Sequence, residues 1–313
     1  MSCDMVHPWV VDYSRDMQSS RARALSPTGG ALFVLLAAVL WGTTGTAAAF
    51  APSAGPIAIG AAAMGIGGLL QAAVAVPQLR ASAGILRSRV PLLAVGAIAV
   101  AIYPLAFYAG MHFAGVAVGT VVALAAGPVC AAVLERVYDG ARLDARWLVS
   151  AGFGALGMLL LTLDGGGSAR DHAPLGILLA LLAGLSYAVY TWAARRLMAA
   201  GVGSRAAMGG LFGVGGLLLV PVLVVAGAPF IEDSQNLAVG AYMALVPMFL
   251  GYLFFGAGLR SVTARAATSL TLAEPAVAAL LAWWLLGERL GVLGFAGLAA
   301  ILVCLVGLTL PRR

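Results

Sequence analysis

Residues Leu272 to Leu290 read LAEPAVAALLAWWLLGERL. The run from Ala266 to Gly287 carries one ionisable residue, Glu274, followed at once by Pro275, and it closes on Gly287-Glu288-Arg289-Leu290. Glu274 stands nine residues after Arg265 and ten before Trp284. At about 1.5 Å of rise per helical residue it is roughly 14 Å from either end, near the middle of a bilayer. A charge there costs about 2.5–3.5 kcal/mol on insertion scales, so such a carboxylate faces a protein or water-lined interior and marks a pathway, unless a neighbouring helix engages it structurally. Pro275 has no N–H for the carbonyl of Thr271, so that acceptor is expected to be free for a partner or ligand.

The rest of the chain matches this stretch. Its 313 residues are 62% hydrophobic and only 10% charged, with a mean hydropathy of +1.01. Those values describe a polytopic membrane protein, not a soluble domain. The 41 glycines suit close helix packing in lipid, where small residues let backbones approach. The net charge of +6 comes from arginine alone, without a lysine. These arginines fall in short loops, where they set topology and form no surface for a nucleic acid. Cys3, Cys130 and Cys304 are isolated, with no CxxC spacing or nearby histidine, which gives no disulfide framework, metal site or cofactor motif.

Apolar stretches of about 20 residues predict ten spans, at roughly 30–50, 56–76, 91–111, 116–134, 147–163, 175–194, 205–226, 237–259, 264–285 and 290–310. Residues 1–26 read as a disordered cytoplasmic tail, within which Met17 is an alternative start. The first apolar run reads as a retained helix and not a signal peptide, because its length is that of a span and nine more follow. The connections are short, and none holds an extramembrane domain. With the amino terminus inside, Arg80, Arg87, Arg89, Arg136, Arg142, Arg146, Arg195, Arg196, Arg205, Arg260, Arg265, Arg312 and Arg313 are all cytoplasmic, and only Arg170 and Arg289 are outside. That bias places both termini in the cytoplasm.

A shift of 147 residues lays Ala117–Leu163 on Ala264–Leu310 without a gap. Ala126-Gly127-Pro128 falls on Ala273-Glu274-Pro275, and Gly140-Ala141-Arg142-Leu143 on Gly287-Glu288-Arg289-Leu290. Upstream, Trp41 falls close to Tyr187. Five helices separate the copies. An odd number inverts the second copy across the membrane, so the expected fold is all-α, with ten transmembrane helices in two inverted-topology repeats, 27–163 and 175–310, joined by an extracytoplasmic loop at 164–174. Gly- or Pro-interrupted helices at matching places in such repeats point to the binding site, here Gly127-Pro128 and Glu274-Pro275.

The EPAVAALLAWWLLGERL segment, the LWG of the first span and the five-plus-five repeat together resemble the EamA-type family of the drug/metabolite transporter superfamily. The WGTTGTAAAF opening, residues 41–50, looks most like the YddG-like amino-acid exporters within it. The resemblance implies a ten-helix exporter whose central cavity is lined by the first four helices of each half, with the fifth helices peripheral. In one respect the chain is lopsided: the first repeat has Gly127 and Ala141 where the second has Glu274 and Glu288.

Trp41, Tyr103, Tyr187, Tyr190 and Tyr252 lie away from the predicted helix ends, where an interfacial belt does not account for them. A tyrosine hydroxyl in hydrocarbon needs a partner, which a cavity supplies, although helix packing serves each of them equally well. Trp283 and Trp284 read as belt anchors. Pro104 and Pro247 interrupt the third and eighth spans, freeing the carbonyls of Val100 and Met243, and are candidate hinges. Gln71 is expected to make an interhelical hydrogen bond. His7, His112 and His172 read as solvated surface, Glu288-Arg289 as a cap or ion pair, and the glycines at 165–167 lack the context of a phosphate loop. Gly152, Gly154 and Gly157, with Gly291, Gly294 and Gly297, form small faces that pack either within the monomer or between protomers of a weak homo-oligomer.

These residues predict a secondary transporter of the bacterial cytoplasmic membrane that exports amino acids and related small metabolites by alternating access. Other metabolites or drugs are the alternative cargo. An intramembrane enzyme would need a nucleophile with its base, paired carboxylates or a metal cluster at depth, and the sequence offers too little of this chemistry. A passive channel is the third reading.

Overall fold

A computed structural model of the chain describes residues 26–164, 172–285 and 291–309. Among the described residues, ten helices are long and apolar enough to cross a membrane. They are α1 Pro27–Ala49, α2 Pro56–Val74, α3 Val90–Ala114, α4 Val118–Tyr138, α5 Ala145–Asp164, α6 Ala173–Ala199, α7 Ser204–Ala226, α8 Ser234–Leu259, α9 Ala264–Leu285 and α10 Val292–Thr309. Of the expected tail only Ser26 is described. Most of the 164–174 connection, the Gly287–Leu290 motif and Arg312-Arg313 also lie outside the described residues.

Several of the helices start where side chains or prolines take care of the amide ends. Ser26 accepts from the Gly29 N–H at 3.1 Å to cap α1, and Asp144 accepts from the Trp147 N–H at 2.7 Å to cap α5. Thr263 accepts from the Ala266 N–H at 3.2 Å at the head of α9. Pro27 and Pro56 open α1 and α2, where a missing N–H costs nothing. Gly201 turns the chain from α6 into α7 at φ 94°, a conformation that a side chain would strain.

Packing relates the halves by an approximate two-fold axis. Helix α1 packs on α8 and α9, and its counterpart α6 packs on α3 and α4; α2 packs on α7, and α5 on α10. The chain is therefore two inverted five-helix repeats. Glycines set these contacts. A Cβ on Gly30 of α1 would lie 3.0 Å from the Gly258 carbonyl of α8, and one on Gly68 would lie on the Phe212 carbonyl of α7. In α5 and α10, Cβ atoms on Gly157 and Gly297 would each meet the other's carbonyl, at 2.6 and 2.7 Å. Gly154, Gly157 and Gly297 of these faces thus pack α5 against α10 within the chain, whereas a Cβ on Gly152 would meet nothing. The outer surface is apolar, with exposed side chains such as Leu32, Val95, Leu178, Val225 and Leu302, as a lipid-facing bundle requires. Trp283 and Trp284 are exposed near the end of α9.

Three spans are irregular. Helix α1 is jogged at Thr43, between Pro27–Gly42 and Thr44–Ala49. Helix α8 contains a π-helical turn, Ala244–Leu250, with Pro247 inside it. Helix α9 breaks into Ala264–Leu270 and Ala273–Leu285. Its counterpart α4 carries Pro128 without a break.

Candidate functional site

The irregular stretches of α1, α8 and α9 meet around one central cavity of about 40 Å³. That is room for about three water molecules, so a solute of amino-acid size enters only if the walls rearrange. Trp41, Tyr103, Tyr187, Tyr190, Tyr252 and Glu274 all line it. The lining is drawn from α1, α2, α3, α4, α6, α8 and α9, with nothing from α5 or α10.

An aromatic framework holds these walls. Trp41 packs on Tyr252 with centroids 4.7 Å apart and meets Tyr187, its approximate counterpart in the other repeat, edge-on at 6.5 Å. Tyr103 reaches both Tyr187 and Tyr190, at 5.8 and 5.9 Å, and stacks on Phe107 at 5.6 Å. Phe212 of α7, outside the lining, backs Tyr252 at 4.2 Å. Such offset and edge-on pairs each contribute about 0.5–1.5 kcal/mol beyond burial.

Most of the polar atoms in this framework are spent on the framework itself. The indole Nε1 of Trp41 donates to the Pro247 carbonyl at 2.8 Å, and Gln71 Nε2 of α2 donates to the Phe249 carbonyl at 2.6 Å. Both acceptors lie in the π-helical turn, whose wider winding presents carbonyls to neighbouring helices. Gln71 thus makes its interhelical bond. The Thr271 hydroxyl donates to the Thr268 carbonyl at 2.9 Å, which leaves Tyr187 the donor in their 2.7 Å contact. Tyr190 and Tyr252 share a hydroxyl–hydroxyl bond at 2.8 Å.

Thr271 requires a correction. Its carbonyl is not free: it accepts from the Glu274 N–H at 2.9 Å, because the chain turns at Thr271-Leu272 and the second half of α9 starts afresh at Ala273. Pro275 therefore sits in a first helical turn, where its lacking N–H is harmless. The same break places Glu274 at the positive end of a half-helix, where the peptide dipoles favour a carboxylate. Among the described residues no hydrogen bond or ion pair engages the Glu274 side chain, or the hydroxyls of Tyr103 and Tyr108. No described arginine or histidine lines the cavity.

The other expected residues lie around this site. Pro104 is in the wall, inside an unbroken α3. Gly127 and Pro128 are buried behind it, and a Cβ on Gly127 would lie 3.0 Å from the Tyr187 ring. Pro247 contributes its carbonyl to Trp41. Sequence reading did not single out Phe107, Tyr108, Met64 or Met248 of the lining. Tyr103 and Phe107 are four apart on α3, a spacing that puts them on one face and was the available signal.

At the arginine-rich end, α4 is fastened to α9. The Arg265 N–H donates to Glu135 Oε1 at 3.1 Å, its Nε lies 3.3 Å from Oε2, and its Nη1 donates to the Arg142 carbonyl at 3.0 Å. The guanidinium lies 5.9 Å from the centre of the Trp147 ring. Only 11% of the Arg265 and 7% of the Glu135 side chain is exposed.

The chain is similar to known proteins along nearly all its length. A protein named Uncharacterized transporter YwfM, from Bacillus subtilis (strain 168), is 34% identical over 283 residues, spanning 90% of this chain and 94% of that one. A solved crystal structure superposes with a TM-score of 0.72 at 19% identity, covering 89% of this chain and 95% of the other, a likeness of fold alone. The model of the EamA-like transporter family matches twice, over residues 28–163 and 174–310, one match to each repeat. This multi-pass membrane protein therefore belongs to the EamA-like transporter family.

Proposed function

We propose that the protein is a secondary transporter that exports amino acids and related small metabolites across the bacterial cytoplasmic membrane by alternating access, with both termini in the cytoplasm. The observation that carries this reading is the Glu274 carboxylate, held without a partner among the described residues in a cavity walled by Trp41 and five tyrosines, Tyr103, Tyr108, Tyr187, Tyr190 and Tyr252. An ammonium group meets both the carboxylate and the aromatic faces favourably. The free hydroxyls of Tyr103 and Tyr108 suit a carboxylate or another polar end of the same solute. The cavity is too small for an amino acid as it stands, so loading involves movement of one repeat against the other, and the α4–α9 fastening is a contact such movement breaks.

A second reading has an observation of its own. No cationic side chain among the described residues lines the cavity, so an organic amine without a carboxylate fits its charge better than a zwitterion does. An enzyme is disfavoured, because among the described residues Glu274 is the only carboxylate in the lining, with no histidine or cysteine beside it.

Proteoliposome uptake of labelled phenylalanine and of phenethylamine, which differ by the carboxylate, separates the readings. Saturable phenylalanine uptake accelerated by unlabelled phenylalanine on the far side supports the amino-acid carrier. Saturable uptake of the amine alone supports the second reading, and non-saturable flux of both would identify a channel.

A further inference from the structure

On the flank of the bundle, at the arginine-rich end, α7 and α8 leave a groove of about 360 Å³ between them. Ser204, Arg205 and Arg260 stand in it, and Met208, Phe254 and Ala257 form apolar wall. Both arginines are exposed, no acidic residue lines the groove, and neither arginine is in an ion pair with a described residue. Gly256 sets the closest approach of the two helices, since a Cβ there would lie 2.5 Å from the Met208 side chain and 3.2 Å from Ser204 Oγ. Tyr252 lines both this groove and the central cavity.

We infer that this groove is a binding site for an anionic phospholipid, with the phosphate between Arg205 and Arg260 and an acyl chain along Met208, Phe254 and Ala257. Membrane orientation asks only that arginine be present in these loops. It does not ask for two arginines beside one slot whose wall is apolar and whose charge no described residue offsets. Guanidinium groups pair with phosphate through parallel N–H bonds, and basic pockets between helices at this level of a bilayer suit lipid headgroups. The hydrocarbon wall beside the charges selects a molecule that is anionic at one end and apolar along its length. A seated chain abuts the ring that also walls the central cavity, so the site couples lipid to the geometry around Tyr252. The inference does not depend on which solute is carried.

The test is titration of the purified full chain with dioleoylphosphatidylglycerol, with bound lipid counted by native mass spectrometry. The Arg205→Gln/Arg260→Gln variant is expected to bind roughly 30-fold more weakly, at about fivefold for each arginine. Arg205→Lys/Arg260→Lys keeps most of the affinity, and Arg87→Gln/Arg89→Gln, at the same end of the bundle, keeps all of it. Ala257→Trp, which fills the slot and leaves the charges, weakens binding as well and carries the test if the double glutamine variant does not fold. Unchanged affinity in both the glutamine pair and Ala257→Trp overturns the proposal. So does an equal loss in Arg87→Gln/Arg89→Gln, which would mean diffuse attraction, or equal binding of dioleoylphosphatidylcholine. Competition by glycerol phosphate without acyl chains would identify a free-anion site instead.

Discussion

The fastening of α4 to α9 gives the most quantitative expectation. Arg265→Gln removes a guanidinium that lies 3.3 Å from Glu135 Oε2 and also reaches the Arg142 carbonyl. With only 7% of the Glu135 side chain exposed, the remaining carboxylate is left buried with backbone N–H donors alone, those of Ala264 and of position 265. Breaking a buried pair by removing one partner costs about 3–5 kcal/mol, mostly because the other charge stays behind. Glu135→Gln strands the arginine in the same way. The double variant Glu135→Gln/Arg265→Gln strands neither charge, so the pairwise coupling should be at least about 1.5 kcal/mol. The assay is thermal unfolding of all four proteins in detergent. The expected result is a Tm for each single variant several degrees below wild type and a double variant no less stable than the worse single one. If the two losses simply add, the side chains do not interact and the fastening is refuted. Coupled losses accompanied by faster labelling of Cys130, about a turn and a half before Glu135, would further tie this contact to closure of that end.

Other expectations are more local. Trp41→Phe keeps the ring contacts but leaves the Pro247 carbonyl without its indole donor, which should lower stability by about 0.5–1.5 kcal/mol; thermal unfolding measures it, and an unchanged Tm would show that the π-helical turn needs no such support. Gly157→Ala places a Cβ 2.6 Å from the Gly297 carbonyl, a backbone atom that cannot swing away, whereas Gly152→Ala on the same helix meets nothing within 4 Å. The first should reduce the folded yield and Tm markedly and the second should not, as size-exclusion profiles and melting curves will show. Gly127→Ala brings a Cβ to 3.0 Å from the Tyr187 ring, which should shift Tyr187 off Thr271 and raise the KM for transport more than it lowers folded yield.

Much of this arrangement was legible in the sequence because it follows from depth in the membrane. Glu274 stands out by its distance from both span ends, and Trp41, Tyr103, Tyr187, Tyr190 and Tyr252 by lying too deep for an interfacial belt. Tyr108 was hidden by the converse rule, since it lies three residues from the predicted end of its span. The inversion of the repeats follows from the parity of five helices, a count that survives errors at span ends. What was not legible is non-local. The effect of Pro275 on Thr271 presupposed a continuous helix, whereas the turn at Thr271-Leu272 gives that carbonyl the Glu274 N–H instead. Pro247 signals an irregular α8, but its partners Trp41 and Gln71 are 206 and 178 residues from the carbonyls they satisfy. Glu135 and Arg265 lie 130 residues apart, each at a span end where arginine and glutamate are unremarkable. The glycine faces of α5 and α10 are periodic in sequence, yet only the packed backbones show that each is the other's partner.

Glu274 is proposed to meet the cationic group of the solute, and the direct measurement is saturable uptake into proteoliposomes by wild type, Glu274→Asp and Glu274→Gln, using whichever of phenylalanine or phenethylamine the wild type carries. Because no hydrogen bond or ion pair among the described residues engages this carboxylate, Glu274→Gln should melt within a degree or two of wild type while uptake is lost, and Glu274→Asp should retain part of it. Full saturable uptake by Glu274→Gln, with wild-type KM, would contradict the account and leave the carboxylate without a part in transport.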